Sequence, residues 1–118
     1  MVKSLDSETR RSKIRDAVSK VLSADVGAFC NISEKSMGKI MITVENYGEE
    51  GSVTITIQGD LTDDMIGKIQ PIVESYGGDV FQMQASLDLE KSVEFIDKVL
   101  TEATGNQDVD IEVELALE

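Results

Sequence analysis

The residues of this chain that could do chemistry are carboxylates, since 23 of its 118 residues are Asp or Glu and none is His. Without His the chain cannot build a Ser-His-Asp triad or a His-ligated metal site. Asp60, Asp63 and Asp64 could bind a cation, but they lack the oxygen spacing and the closing Glu of a calcium loop. Acidic residues are also favoured at a helix start by the helix dipole. We therefore predict no metal and no cofactor. Catalysis by carboxylates or by lysine stays open as a minor alternative.

Cys30 is the single cysteine, so the chain has no internal disulfide. A reactive thiolate needs a nearby cation or a helix N-terminus, and the chain has no His to activate it. We predict that Cys30 is a small buried hydrophobic side chain. The N-terminus has no hydrophobic signal core and no apolar run approaches the length of a membrane span, so we expect a cytoplasmic protein with no membrane segment.

The net charge of −12 is unevenly distributed along the chain. Residues 1–20 hold six basic and three acidic residues, whereas residues 21–118 hold five basic and twenty acidic residues. A body this acidic repels phosphate backbones, which argues against nucleic acid as a partner. The asymmetry predicts instead that the basic segment folds onto an acidic surface, its own or a partner's. Within it, Arg11 and Arg15 share a helix face that is either a docking surface or a solvated face.

The element that is clearest from the sequence is a β-hairpin over residues 38–59. β-branched residues occupy every second position of both strands: Ile40, Ile42, Val44, Val53, Ile55 and Ile57. Period-two alternation indicates strands that bury one face. The opposite face carries Met41, Thr43, Thr54, Thr56 and Gln58. This polar face is either a solvated surface or a binding surface.

Apolar periodicity and capping residues predict the remaining elements. They are helices over residues 5–23, 61–76 and 89–103, strands over residues 79–87 and 108–117, and a loop or short strand over residues 24–37. The predicted helix caps are Asp6 or Ser7, Asp60 or Thr62, and Asp88, with Gly105 as the stop of the last helix. In the third predicted strand Phe81 and Met83 face the core while Gln82 and Gln84 face outward. In the last strand Val109, Ile111, Val113, Leu115 and Leu117 face inward, opposite a row formed by Asp110, Glu112 and Glu114.

This element order predicts an α+β fold, with one domain over residues 1–118. We expect a two-layer α/β sandwich with one mixed four-stranded sheet, ferredoxin-like in general architecture, because strands joined by helices favour parallel crossovers. Each strand has one apolar face, so both crossover helices cover the same side of the sheet. The other side needs a cover: the basic helix, a second copy of the chain, or a ligand. The acidic row on the last strand also suits an edge that avoids pairing with other chains.

The stretch from Val53 to Leu87, VTITIQGDLTDDMIGKIQPIVESYGGDVFQMQASL, resembles the first strand-helix-strand unit of ACT-like regulatory domains. That resemblance implies an amino-acid ligand bound at a sheet-edge dimer interface. The stretch departs from those domains at Thr62–Asp64, where a Pro-Gly pair is usual, and a helix follows it in place of a second hairpin.

Together these observations predict a non-catalytic interaction or regulatory module that forms a homodimer or binds another protein. The predicted contact surface joins the basic helix to the polar sheet face: Arg11, Arg15, Thr54, Thr56, Gln82, Gln84, Asp110, Glu112 and Glu114. The alternatives are a small-molecule sensor of the ACT-like kind and a small carboxylate enzyme.

Overall fold

The computed structural model describes residues 2–24, 27–35 and 38–116, with residues 2–7 described by their backbone alone. Three helices and five strands lie in these ranges. Their bounds are α1 (Val2–Ser23), β1 (Phe29–Glu34), β2 (Ile40–Glu45), β3 (Val53–Gly59), α2 (Asp63–Ser75), β4 (Gln84–Leu87), α3 (Leu89–Thr104) and β5 (Ile111–Ala116).

The five strands form one sheet in the order β4-β3-β2-β1-β5, and every neighbouring pair is antiparallel. The predicted hairpin is confirmed as β2 and β3, with Ile42 opposite Ile57 and Val44 opposite Ile55. The predicted α+β class is also confirmed. The mixed four-stranded sheet is wrong, and the ferredoxin-like strand order is not found.

Residues 24–37 explain much of this difference, because they supply the unexpected fifth strand. Of the two predicted alternatives the short strand is right: β1 pairs with β2 on one side and with β5 on the other. Cys30 and Ile32 are buried, while Phe29 lies on the opposite face. Val26, within the same predicted segment, lies outside the described residues. Because β1 occupies the place beside β2, β5 lies at the far edge of the sheet from β4.

The segment between β3 and β4 also departs from the predicted parallel crossover. The predicted strand over 79–87 begins only at Gln84, and a turn stands in place of its first residues. Asp79 and Gln84 exchange two backbone hydrogen bonds, and the Asp79 carboxylate accepts from the backbone N–H groups of Phe81 and Gln82. These bonds reverse the chain, so β4 runs antiparallel to β3, and Phe81 is 94% exposed rather than in the core.

The helix boundaries follow the capping chemistry at three of the predicted positions. Thr62 caps α2 and Asp88 caps α3, each accepting a backbone N–H in the first turn. Gly105 ends α3 with a φ of 69°, a left-handed conformation that glycine adopts without steric cost. Helix α1 begins earlier than predicted, at Val2, so Asp6 and Ser7 lie inside the helix and do not cap it.

All three helices pack on one face of the sheet, and the core lies between these two layers. It joins the inward residues of the strands to one stripe of each helix, including Ile14, Val18 and Val21 of α1. Leu117, predicted to face inward, lies outside the described residues. Helix α3 packs between α1 and α2, and its Phe95, Ile96 and Leu100 are fully buried. Within the described ranges, no helix has both the length and the apolar character needed to cross a membrane.

Candidate interaction surface

The side of the sheet that faces away from the helices forms a continuous surface, which we call the open face. It consists of the outward positions of all five strands: Phe29, Asn31, Ser33, Met41, Thr43, Glu45, Thr54, Thr56, Gln58, Gln84, Ser86, Glu112, Glu114 and Ala116. Across the described parts of the chain, no helix packs on it. An antiparallel sheet with one packed and one uncovered face gives this alternation.

Hydrogen bonds between neighbouring strands connect the polar side chains at the centre of the open face. Gln84 Nε2 donates to Thr56 Oγ1 at 3.0 Å, and Thr43 Oγ1 donates to Asn31 Oδ1 at the same distance. Gln58 Nε2 donates to Thr43 Oγ1 at 2.7 Å, and these neighbours bury the Thr43 side chain. The centre of the open face is therefore a neutral network whose polar groups bond one another in the absence of any partner.

The negative charge of the open face lies mainly along its β5 side. Glu112 and Glu114 are exposed there, and Glu45 of β2 adds a third carboxylate. The outward strand positions hold no basic residue. The charge of the open face thus changes from neutral at β4 to acidic at β5.

Two large side chains add apolar area near this network. Met41 is 40% exposed on the open face, and Tyr47, in the loop after β2, is 59% exposed. A hydrogen bond to Glu45, together with slight burial and the Glu45 charge, raises the pKa of the Tyr47 hydroxyl. An exposed aromatic ring beside a polar network is a typical component of a protein contact surface.

The structure brings together five of the nine predicted surface residues. Thr54, Thr56, Gln84, Glu112 and Glu114 all project from the open face. Asp110 precedes β5, where its carboxylate lies 3.5 Å from Lys35 Nζ. Gln82 lies in the turn before β4, outside the sheet.

The two predicted basic residues lie in the helical layer instead, on the opposite side of the molecule from the open face. Arg11 Nε donates to Asp97 Oδ2 at 3.0 Å, and Arg15 Nη2 donates to Glu90 Oε2 at 3.2 Å. Both acceptors belong to α3. The basic segment therefore folds onto an acidic surface of its own chain, which is one of the two predicted alternatives, and it does not cover the open face.

A buried ion cluster, which the sequence analysis missed, joins α1 to α3. Arg10, only 4% exposed, donates from Nε to Asp97 Oδ1 at 2.6 Å and from Nη1 to the carbonyl of Gln107 at 2.9 Å. We call Arg10, Arg11 and Asp97 the Arg10–Asp97 cluster. One signal could have revealed it: Arg10 precedes Ile14 by four residues, so it continues the apolar stripe of the helix. The signal is weak, because Arg10 is charged and its neighbours in the first turns of the helix are also polar.

The remaining candidates for chemistry are Cys30 and the acidic residues at the start of α2. Burial raises the pKa of the Cys30 thiol to about 12, which leaves it protonated at neutral pH, as expected for a buried hydrophobic side chain. Of the described residues, no three His, Cys, Asp or Glu side chains are grouped to hold a metal ion. Asp60, Asp63 and Asp64 are all exposed at the start of α2.

Comparison of the chain with models of known protein families, with curated proteins and with solved structures finds no match.

Proposed function

We propose that this chain is a non-catalytic interaction module that acts through the open face, and that its partner there is a second copy of the chain. The observation that carries this proposal is the uncovered five-stranded face, which is large, internally hydrogen-bonded and free of a helical cover in the described ranges. Such a face presents a preformed surface to a partner, because its polar side chains are already held in place.

The charge gradient of the open face favours one arrangement of two copies. A two-fold axis parallel to the strands, placed between two open faces, sets β5 of each copy against β4 of the other. Glu112 and Glu114 then meet the neutral Gln84 and Ser86, whereas an axis across the strands would place glutamates against glutamates. The net charge of −12 on each copy still opposes association, so we expect added salt to strengthen the dimer.

The proposal gives no contact role to Arg11 and Arg15, since both are paired with α3 in the other layer.

Native mass by light scattering, measured over a dilution series up to tens of micromolar, tests the proposal. We expect a dimer for the unaltered chain and a monomer for Thr56→Glu, which puts a negative charge beside Gln84, where the glutamates of the other copy would lie. Gln70→Glu is the matched control, because Gln70 is exposed on α2, and it should remain a dimer. A monomer at every concentration, or a dimer that Thr56→Glu leaves intact, would contradict self-association through this face.

The amino-acid ligand implied by the resemblance of residues 53–87 stays a prediction. A thermal-shift screen of amino acids tests it, because a ligand that binds only the folded state raises Tm.

A further inference from the structure

The edge of the sheet formed by β5 has free backbone groups that can be located from the register. Lys35 N donates to Asp110 O at 2.9 Å, which makes these two residues a hydrogen-bonded pair of the antiparallel ladder. Such pairs recur at every second residue, so Glu112 and Glu114 direct their backbone groups toward β1. The N–H and C=O groups of Ile111, Val113 and Leu115 therefore point away from β1, toward the outside of the sheet.

Asp110 closes one end of this edge. Its Oδ1 accepts the backbone N–H of Ile111 at 3.0 Å, which satisfies the first outward donor. In the described residues no other strand pairs with β5 on this side. The segment from Val113 to Leu115 is thus the part of the edge that offers backbone donors and acceptors to another chain.

A groove of about 550 Å³ runs between this edge and α1. Ala17, Val113 and Leu115 contribute apolar surface to it, and Leu115 is 38% exposed. Three lysines also line the groove: Lys13, Lys20 and Lys35. Lys20 Nζ lies 3.0 Å from Asp16 Oδ2, and Lys35 Nζ lies 3.5 Å from Asp110 Oδ2. A side chain that enters the groove from a strand beside β5 would therefore meet apolar atoms, with lysines at the rim whose charge is partly compensated by these two carboxylates.

The other side of the same edge is acidic. Glu112 and Glu114 project from β5 onto the open face, and both are exposed. Side chains alternate between the two faces of a strand, so a chain paired with β5 would present every second residue to the groove and the others to these glutamates.

We propose that the edge of β5 binds an extended peptide by strand addition, and that the peptide alternates apolar residues with Lys or Arg. Backbone hydrogen bonds to Val113 and Leu115 hold the peptide as a sixth strand. Its apolar residues enter the groove beside Ala17, and its basic residues pair with Glu112 and Glu114. In the inverted register the apolar residues of the peptide would face Glu112 and Glu114 and its basic residues would face the lysine-lined groove, so the charges favour one of the two faces of the peptide.

The charges also disfavour β5 of a second copy as the occupant. Two β5 strands paired side by side would set the glutamates of one copy opposite those of the other, and like charges in that position are destabilising. The outward backbone groups of β5 serve only the peptide, whereas Glu112 and Glu114 belong to both proposed contacts, so peptide binding and self-association through the open face compete for these two side chains.

Fluorescence anisotropy with the full chain and labelled ten-residue peptides tests the proposal. The probe alternates Val with Lys, and a second peptide alternates Val with Glu. A third peptide has the Lys/Val sequence with backbone N-methyl groups on alternate residues, which keeps the charge and blocks strand pairing. We expect the Lys/Val probe to bind, the N-methylated peptide to bind about tenfold more weakly, and the Glu/Val peptide not to bind. Equal binding of the probe and its N-methylated form would show charge attraction alone and would overturn strand addition.

Variants of the edge locate the site. Leu115→Pro removes an outward N–H at a position where an edge strand tolerates proline, and Leu115→Ala is the control that shortens the side chain and keeps the donor. We expect the proline variant to bind the probe about tenfold more weakly than the alanine variant, with circular dichroism showing that both are folded. The double variant Glu112→Lys and Glu114→Lys should reverse the preference from the Lys/Val to the Glu/Val peptide, a gain that unfolding cannot produce.

Two results would contradict the proposal directly. One is failure of the Lys/Val probe to bind the unaltered chain. The other is a dimer that Leu115→Pro dissociates and Thr56→Glu does not, because that pattern would make the edge of β5 a contact between copies.

Discussion

The Arg10–Asp97 cluster and the open face are both rich in polar groups, yet they differ in what surrounds those groups. In the cluster, Arg10 and Asp97 are buried between α1 and α3, and the Asp97 carboxylate also accepts from Arg11, whose side chain is 59% exposed. The polar groups of the open face bond one another from strand to strand, and only Thr43 among the network residues is buried. A partner can reach the polar groups of the open face, whereas the Arg10–Asp97 pair itself is buried.

This difference teaches that charge type alone does not mark a docking surface. From the sequence, the basic face of α1 is either a docking surface or a solvated face, and in the structure Arg10 and Arg11 are held by Asp97 of the same chain. A buried ion pair that loses one member leaves an uncompensated charge, whereas an exposed polar network that loses a member is rehydrated. The two regions should therefore respond to substitution on different scales of free energy.

The largest effect is expected for Asp97→Ala. The substitution removes the buried carboxylate that accepts from Arg10 Nε at 2.6 Å, and we expect the free energy of unfolding to fall by about 3–5 kcal/mol. Chemical denaturation measures this loss. The matched control on the same helix is Glu102→Ala, an exposed residue for which the change should stay within about 0.5 kcal/mol. If Asp97→Ala lowers the free energy of unfolding no more than the control does, the cluster tolerates substitution as well as an exposed surface position does.

The second largest loss of stability is expected for a double variant that removes both charges of the buried Arg10–Asp97 pair. Arg10→Met combined with Asp97→Leu replaces the ions by apolar side chains of similar size, and such replacements are often neutral or stabilising. The carbonyls of Gln107 and Val109 lose the Arg10 donor, so we expect a net loss of about 1–2 kcal/mol, smaller than that of Asp97→Ala alone. If the double variant is as unstable as Asp97→Ala, the loss of stability comes from these carbonyl contacts and not from removal of the Asp97 carboxylate beside a buried guanidinium.

On the open face the expected loss is smaller still. Thr43→Val keeps the shape of the side chain and removes the hydroxyl that joins Asn31 to Gln58, and we expect a loss of about 0.5–1.5 kcal/mol in the free energy of unfolding. Thr54→Val is the control, because its hydroxyl lies 3.4 Å from Ser86 Oγ at a half-buried position and should contribute less. A loss above about 3 kcal/mol for Thr43→Val would show that the hydrogen-bond network of the open face contributes to stability as much as buried core packing does.

The sequence predicts those parts of the fold that depend on local pattern. The hairpin, three helices, the caps Thr62 and Asp88 and the stop at Gly105 are all found, since each rests on residues close together in the chain. The strand order could not be derived, because it depends on β1, whose alternation Ala28, Cys30, Ile32 is short and weakly apolar. The turn at Asp79 shows the same limit: side-chain hydrogen bonds to the backbone override the strand preference of Val80 and Phe81.

The candidate surface was only partly predictable for a related physical reason. Alternation within one strand fixes which residues share a face, so Thr54, Thr56, Glu112 and Glu114 could be placed together. Arg11 and Arg15 could not be placed, because alternation does not say which face of the sheet a helix covers. Arg10 was missed because periodicity arguments assign charged residues to the solvent, and its burial depends on Asp97, 87 positions away.

The smallest effect is expected for the exposed ion pair that joins α1 to α3. This pair has the charges of the Arg10–Asp97 cluster and the solvent exposure of the open face. Arg15 and Glu90 lie 3.2 Å apart with about half or more of each side chain exposed, so solvent screens their attraction. A double-mutant cycle of Arg15→Ala and Glu90→Ala should give a coupling free energy below about 0.5 kcal/mol, and that coupling should vanish in 1 M salt.

The equivalent cycle of Arg10→Ala and Asp97→Ala should give several kcal/mol and persist in salt, because both groups are buried. Equal coupling free energies in the two cycles would mean that burial does not determine how much an ion pair contributes to the stability of this fold.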